Sequence, residues 1–195
     1  MSMRLSILEK GHGFGTKVLF ALIRTFSGYP VLDIIKLVKY RPDFYGRPMS
    51  GVTQEAMRGP SAWSIGDREL MAAVVANSIG CQWCAKAHSA VAAEAYRDEA
   101  RVSAVLSDLD AAPIAEPLRA TLRMLRKLVS ARAVDADDMR AVLAAGVTPE
   151  QVEDALAVGF AFNIVGRLAD AFGFFQPSPA AFGAGARYLL ARGYR

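Results

Sequence analysis

Apolar residues recur along this chain at helical spacing, and the short alternating β-branched runs that mark strands are almost absent. The pattern predicts two apolar helices, Phe14 to Phe26 and Val31 to Tyr40, split by Ser27-Gly28-Tyr29-Pro30. From Arg41 to Ser61 the chain holds Pro42, Gly46, Pro48, Gly51, Gly59 and Pro60 and reads as a long surface connection with one short helical turn at Gln54 to Arg58. Asp67 is placed to cap a helix running to Asn77, Ser78-Ile79-Gly80 breaks it, and the next helix runs from about Cys81 to about Glu99.

The second half continues in the same way. Leu118, Leu122, Leu125 and Leu128 share one face of a helix from Pro117 to Ala131, and Asp135 caps a short helix ending at Gly146. Thr148-Pro149-Glu150-Gln151 has the form of a capping box with proline at the first helical position. It opens a long helix reaching Phe172, where Gly173 is the natural stop, and a last helix covers Ala180 to Leu190. The expected architecture is an all-α, single-domain helical bundle. Residues 1–41 form N-terminal apolar helices suited to oligomer contacts, and residues 42–195 form the main helical domain.

Composition narrows the function classes. At 195 residues and 53% hydrophobic content the chain is long enough for one buried core and too apolar for disorder. A spanning helix needs about 20 consecutive apolar residues, and the stretch from Val18 to Val38 is interrupted by Arg24, Asp33 and Lys36. No membrane role is expected, no signal-peptide pattern is read at Met1 to Lys10, and the default location is cytoplasmic. The net charge is +4, but residues 1–60 hold nine basic against four acidic residues, while the remainder holds 14 against 15. The excess forms no dense cluster, so nucleic acid is not an expected partner.

The chemistry concentrates in one place. The chain has two cysteines and two histidines, and three of the four fall in Cys81-Gln82-Trp83-Cys84-Ala85-Lys86-Ala87-His88. On a helix Cys81 and Cys84 are i and i+3, and Cys84 and His88 are i and i+4, which leaves each pair about 5–6 Å apart at Cβ. That is near disulfide reach and sets an imidazole beside the second sulfur. The first turn of a helix adds partial positive charge and free N–H groups, which favour a thiolate. By this argument alone Cys81, nearer the helix start, is the better thiolate. A closed zinc site wants four ligands and only three are local, so that His12 would have to be recruited; no metal or other cofactor is expected.

Glu69, twelve residues before Cys81, together with Cys81-x-x-Cys84 and His88, resembles the alkylhydroperoxidase D-like branch of the carboxymuconolactone decarboxylase superfamily, in its peroxidase-related subgroup. Arg68-Glu69-Leu70, the segment from Gly146 through Leu156, and Asn163-x-x-x-Arg167-Leu-Ala-Asp170-Ala-Phe-Gly173 are similar to it as well, so that the resemblance covers about residues 42–175. Trp83 stands where the founding pattern has a histidine. Asn163, Arg167 and Asp170 lie on one helix face and read as a structural network.

The resemblance implies a thiol-dependent peroxidase. Cys84 would be the attacking sulfur, His88 the general base, Glu69 its orienting carboxylate, and Cys81 the resolving thiol. It further implies a hydroperoxide substrate, a dihydrolipoyl or thioredoxin-like dithiol donor, and a homo-oligomer, trimeric or hexameric. Phe160, Phe162, Phe172, Phe174 and Phe175 are candidates for an apolar pocket or for core and subunit interface. Two other readings stand beside it: a carboxymuconolactone decarboxylase-like lyase, which would tolerate loss of both cysteines, and a non-enzymatic redox switch or structural disulfide in a helical oligomer.

Overall fold

The computed structural model describes residues 3–131 and 133–194. Among these residues every regular element is a helix: α1 (Ile7–Lys10), α2 (Phe14–Ser27), α3 (Asp33–Tyr40), a π-helical turn (Pro42–Gly46), α4 (Arg47–Arg58), α5 (Ile65–Ser78), α6 (Gln82–Tyr96), α7 (Glu99–Ser107), α8 (Glu116–Ala131), α9 (Ala136–Ala144), α10 (Pro149–Phe172) and α11 (Pro179–Arg192). The all-α expectation holds.

The axis of the bundle is α5. Ten of its residues are buried, from Gly66 to Ala76 and on every side of the helix. A helix without a polar face belongs in the middle of the protein. It packs against α6, α8 and α10, while α11 packs on α6. By length and composition α10 is apolar enough to cross a membrane. In the fold its buried stripe, including Val152, Ala155, Val158, Phe162, Val165 and Ala169, lies against α4, α5, α6 and α8.

Three expectations need correction. The stretch from Arg41 to Ser61 is mostly helical: Pro42 and Pro48 fall at the first positions of the π-turn and α4, where a missing N–H costs nothing, and Met57 anchors α4 in the core. Asp67 does not cap α5. Ser64 is the N-cap, accepting the Asp67 N–H, while Asp67 sits three residues in and accepts the Ser64 N–H in return. The Asp67 carboxylate also accepts the Tyr96 hydroxyl at 2.6 Å, tying α5 to the end of α6. Finally, the helix from Cys81 does not reach Glu99. Arg97 adopts a left-handed conformation (φ 55°), α6 ends at Tyr96, and Asp98 caps a separate helix, α7, by accepting the Arg101 N–H.

The other boundaries follow the sequence closely. The capping box at Thr148 and Gln151 is formed, and Gly173 ends α10 in the left-handed region (φ 65°). In the N-terminal part only Phe20 of α2 is buried, packed edge-on against His12, whereas Phe14 and Phe26 are 85% and 84% exposed.

The close approach of α5 to α6 depends on Gly66, where an added Cβ would lie 2.6 Å from the Tyr96 ring. Tyr96 is held by Asp67 and by Arg101 stacked over its ring, so the ring has little room to yield. Gly66→Ala is expected to lower stability by about 1–3 kcal/mol. Urea unfolding would read this as a lower midpoint at unchanged slope.

Candidate active site

The site is built where the α5–α6 hairpin turns. Gly80 takes a positive φ of 79°, and the Cys81 N–H then closes the turn on the Ala76 carbonyl at 2.9 Å. Cys81 is thereby the N-cap of α6, and its sulfur accepts the Cys84 N–H at 3.5 Å. Gly166 of α10 lets this turn pack closely, since a Cβ there would lie 2.5 Å from Ile79 and 3.4 Å from Cys81.

Both cysteines are free and buried, and they lie 3.4 Å apart. The two sulfurs are electrostatically unequal. The Cys81 thiol is lowered from 9.0 to about 7, chiefly because the Cys84 thiol donates to it, against the cost of burial and with help from the Cys84 and Trp83 N–H groups. The Asp170 charge on α10 works in the opposite direction. Cys84 is driven far upward, first because it donates to Cys81 and then by burial and the Cys81 charge. The pair is thus polarised toward Cys81 as the more readily ionised thiol, the direction its place at the start of α6 also favours.

Glu69 and His88 do meet. Glu69 lies on α5 with no exposed surface, and its Oε2 is 2.8 Å from His88 Nδ1. Burial raises the Glu69 pKa, but the His88 hydrogen bond and charge and the Arg58 guanidinium outweigh it, leaving the group below the usual carboxylate value. An ionised carboxylate only accepts, so His88 carries its proton on Nδ1 toward Glu69, and in the neutral ring Nε2 is the free lone pair. Phe162 closes one side of the imidazole at 4.1 Å between ring centroids. No hydrogen bond among the described residues joins His88 to either sulfur.

Two residues of this cluster escaped the sequence reading. Arg58, the last residue of α4, donates from Nη2 to Glu69 Oε1 at 2.8 Å and also reaches the Leu189 carbonyl at 3.3 Å. Tyr194, beyond α11, places its hydroxyl 2.8 and 3.1 Å from the two Glu69 oxygens, with its ring nearly parallel to His88. No spacing rule finds partners 11 and 125 residues away. Arg68, adjacent to Glu69 in sequence, serves instead to close the end of α4 by donating to the Ala56 and Gly59 carbonyls.

The remaining candidates fall outside the site. Arg167 donates to Asn163 at the surface (2.8 Å), consistent with a structural role. His12 is buried among Phe20 and Tyr40 and bonds the Leu8 carbonyl, in the N-terminal helices. Trp83 packs edge-on against Phe174 and near Phe182 of α11, while Phe160 and Phe175 are exposed. No metal-binding cluster of His, Cys, Asp and Glu occurs among the described residues.

No family model matches the chain, and no curated protein matches it. Solved structures do. One is an uncharacterized peroxidase-related protein from Silicibacter sp. TM1040, with 21% identity, a TM-score of 0.73 and 88% of each chain covered. Another, described as an alkylhydroperoxidase AhpD core and an uncharacterized peroxidase-related protein from Ralstonia eutropha JMP134, has 20% identity and a TM-score of 0.77, covering 96% of this chain and 97% of that one. The chain therefore has the alkylhydroperoxidase D-like fold.

Two outcomes follow from the site's electrostatics. Because the pKa of Glu69 is depressed by folding, it contributes stability above the unfolded-chain value of about 4.3, and this is lost as pH falls through the folded value. Glu69→Gln should flatten that part of the acid unfolding curve. Arg58→Met strands the buried carboxylate and should cost about 3–5 kcal/mol at neutral pH, with part of the loss recovered in the Arg58→Met, Glu69→Gln double variant. Separately, pH-dependent alkylation of the reduced protein should label Cys81 with a midpoint near 7, and Cys84→Ala, which removes the donor to Cys81, should move that midpoint upward.

Proposed function

We propose that the protein is a thiol-dependent peroxidase working through a Cys81/Cys84 dithiol–disulfide cycle, with Cys81 as the attacking sulfur. The observation that carries this reading is the pairing of the N-cap Cys81 sulfur with a second thiol 3.4 Å away, one helical turn before a histidine held by a buried carboxylate. The alkylhydroperoxidase D-like fold and the peroxidase-related names of its structural neighbours support it.

In the first step the Cys81 thiolate attacks one oxygen of a hydroperoxide. The O–O bond breaks, sulfur is oxidised to the sulfenic acid, and the alkoxide or hydroxide leaving group takes a proton and departs as alcohol or water. Cys84 then attacks the Cys81 sulfur and expels water, forming the disulfide. His88 Nε2 is the base for the Cys84 proton, and Glu69 holds the imidazole in the tautomer that leaves Nε2 available. His88 is assigned to the resolving step because the Cys81 thiol, lowered to about 7, gives up its proton more readily than Cys84, which is driven upward. A dithiol donor, dihydrolipoyl or thioredoxin-like, reduces the disulfide by exchange and becomes oxidised in turn. Phe162 and Trp83 supply apolar surroundings suited to organic hydroperoxides.

The same reading includes a homo-oligomer acting in the cytoplasm. The exposed apolar residues Phe14, Leu22 and Phe26 of α2 and Phe160 and Ile164 of α10 are the surfaces that further copies of the chain would cover, giving residues 1–41 their role as oligomer contacts.

Hydroperoxide consumption with dihydrolipoamide as donor tests the proposal. Wild type should turn over, Cys81→Ser and Cys84→Ser should abolish turnover, and His88→Ala should slow it by about 10²–10⁴-fold. Absence of peroxide turnover with decarboxylation of a lactone acid that survives loss of both cysteines would instead favour the lyase reading, and thiol oxidation without turnover a redox switch.

A further inference from the structure

The end of the chain is built into the site. After α11, Gly193 (φ 68°, ψ −153°) turns the backbone inward, and the next N–H, from Tyr194, donates to Gln54 Oε1 of α4 at 2.7 Å. A Cβ at Gly193 would lie 2.5 Å from that same oxygen, so the tail and α4 are fitted closely. The Arg58 guanidinium lies over the Tyr194 ring at 5.1 Å and bonds the Leu189 carbonyl, holding α11 from a second point. The Tyr194 hydroxyl ends against Glu69, 2.8 Å from Oε1 and 3.1 Å from Oε2.

We propose that Tyr194 is a positioning residue of this site: its hydroxyl, delivered by the C-terminal tail, locks the Glu69 carboxylate in the orientation that fixes His88 with its proton on Nδ1 and its Nε2 free. The role of His88 as a base rests on the peroxidase reading; the positioning of the Glu69–His88 pair does not.

The geometry accounts for why a third donor is needed. Arg58 holds Oε1 and His88 holds Oε2, one donor apiece, and the terminal torsion of a carboxylate is soft, so a third contact stiffens the plane. The Tyr194 hydroxyl touches both oxygens and sets the plane. Burial and the Glu69 charge hold the phenol well above its ordinary pKa of 10.0, so it remains a donor throughout the working range. Its ring, tilted only 21° from the imidazole at 6.4 Å, also limits tilting of His88 on that side. The charged and titratable groups around Glu69 are Arg58 from α4, His88 from α6, Tyr194 from the tail and Arg68 on its own helix; α10 presents apolar Phe162 to His88.

Tyr194→Phe keeps the ring and removes the donor. With peroxide and dihydrolipoamide, kcat is expected to fall about 3–30-fold with KM within about twofold, since the lost interaction is a hydrogen bond to a charged group remote from the substrate. The acidic limb of the pH–rate profile that reports Glu69 should move to higher pH, because a carboxylate with one donor fewer protonates more readily. A readout independent of turnover is the ring-nitrogen NMR spectrum. The chain has only two histidines, so His12, in the N-terminal helices, serves as the internal reference. Wild type should show His88 as the Nδ1–H tautomer, and Tyr194→Phe should broaden or redistribute that signal while leaving His12 unchanged.

Gln54→Ala, which releases the tail but keeps the hydroxyl, should produce a smaller change in the same direction and stands in if Tyr194→Phe folds poorly by near-ultraviolet circular dichroism. An unchanged His88 spectrum in these variants overturns the proposal. A wild type without peroxidase turnover whose His88 signal still responds to Tyr194→Phe would remove the peroxidase reading and leave the positioning role standing.

Discussion

A carboxylate with no exposed surface sits at the centre of this molecule, and much of the architecture around the site answers to it. Burying Glu69 unpaired would cost several kcal/mol. Its oxygens instead take an arginine from α4, an imidazole from α6 and a phenol from the tail beyond α11. Each donor comes from a different element, so four segments distant in sequence are brought into register by one charge. An apolar residue of similar volume could fill this space at no greater cost to stability, but it could not orient an imidazole. The buried ion pair is therefore better understood through its chemistry than as a source of stability.

The thiol pair is arranged on a different principle. Cys81 lies at the point where the chain enters α6, and the free N–H groups of that turn face its sulfur, while Cys84 lies one turn inward and points a donor back at it. Two chemically identical side chains thus become unequal, through the hydrogen bond between them and through their positions on the helix. Under the proposed peroxidase cycle, this inequality gives the dithiol its direction.

The outer parts of the chain are less constrained. Where α5 is buried on every side, α2 contributes a single buried phenylalanine and leaves most of its apolar surface open. The hydrophobic content that makes the sequence look uniformly core-forming is therefore spread unevenly, over one saturated helix and over faces of α2 and α10 that stay exposed among the described residues.

The local signals were legible in the sequence. Helical periodicity, the capping box at Thr148, the glycine stop at Gly173 and the crowding of Cys81, Cys84 and His88 each depend on residues within a turn or two of one another, where spacing maps directly onto geometry. Where such signals misled, several were in competition: Pro42 and Pro48 read as breakers but fall at helix starts, and Asp67 competed with Ser64 for the cap of α5. Only the tertiary structure decided that Arg58 and Tyr194 complete the site around Glu69. That outcome depends on burial and on contacts across as many as 140 residues, and a buried charge selects its partners by distance in space, which no pattern along the chain encodes.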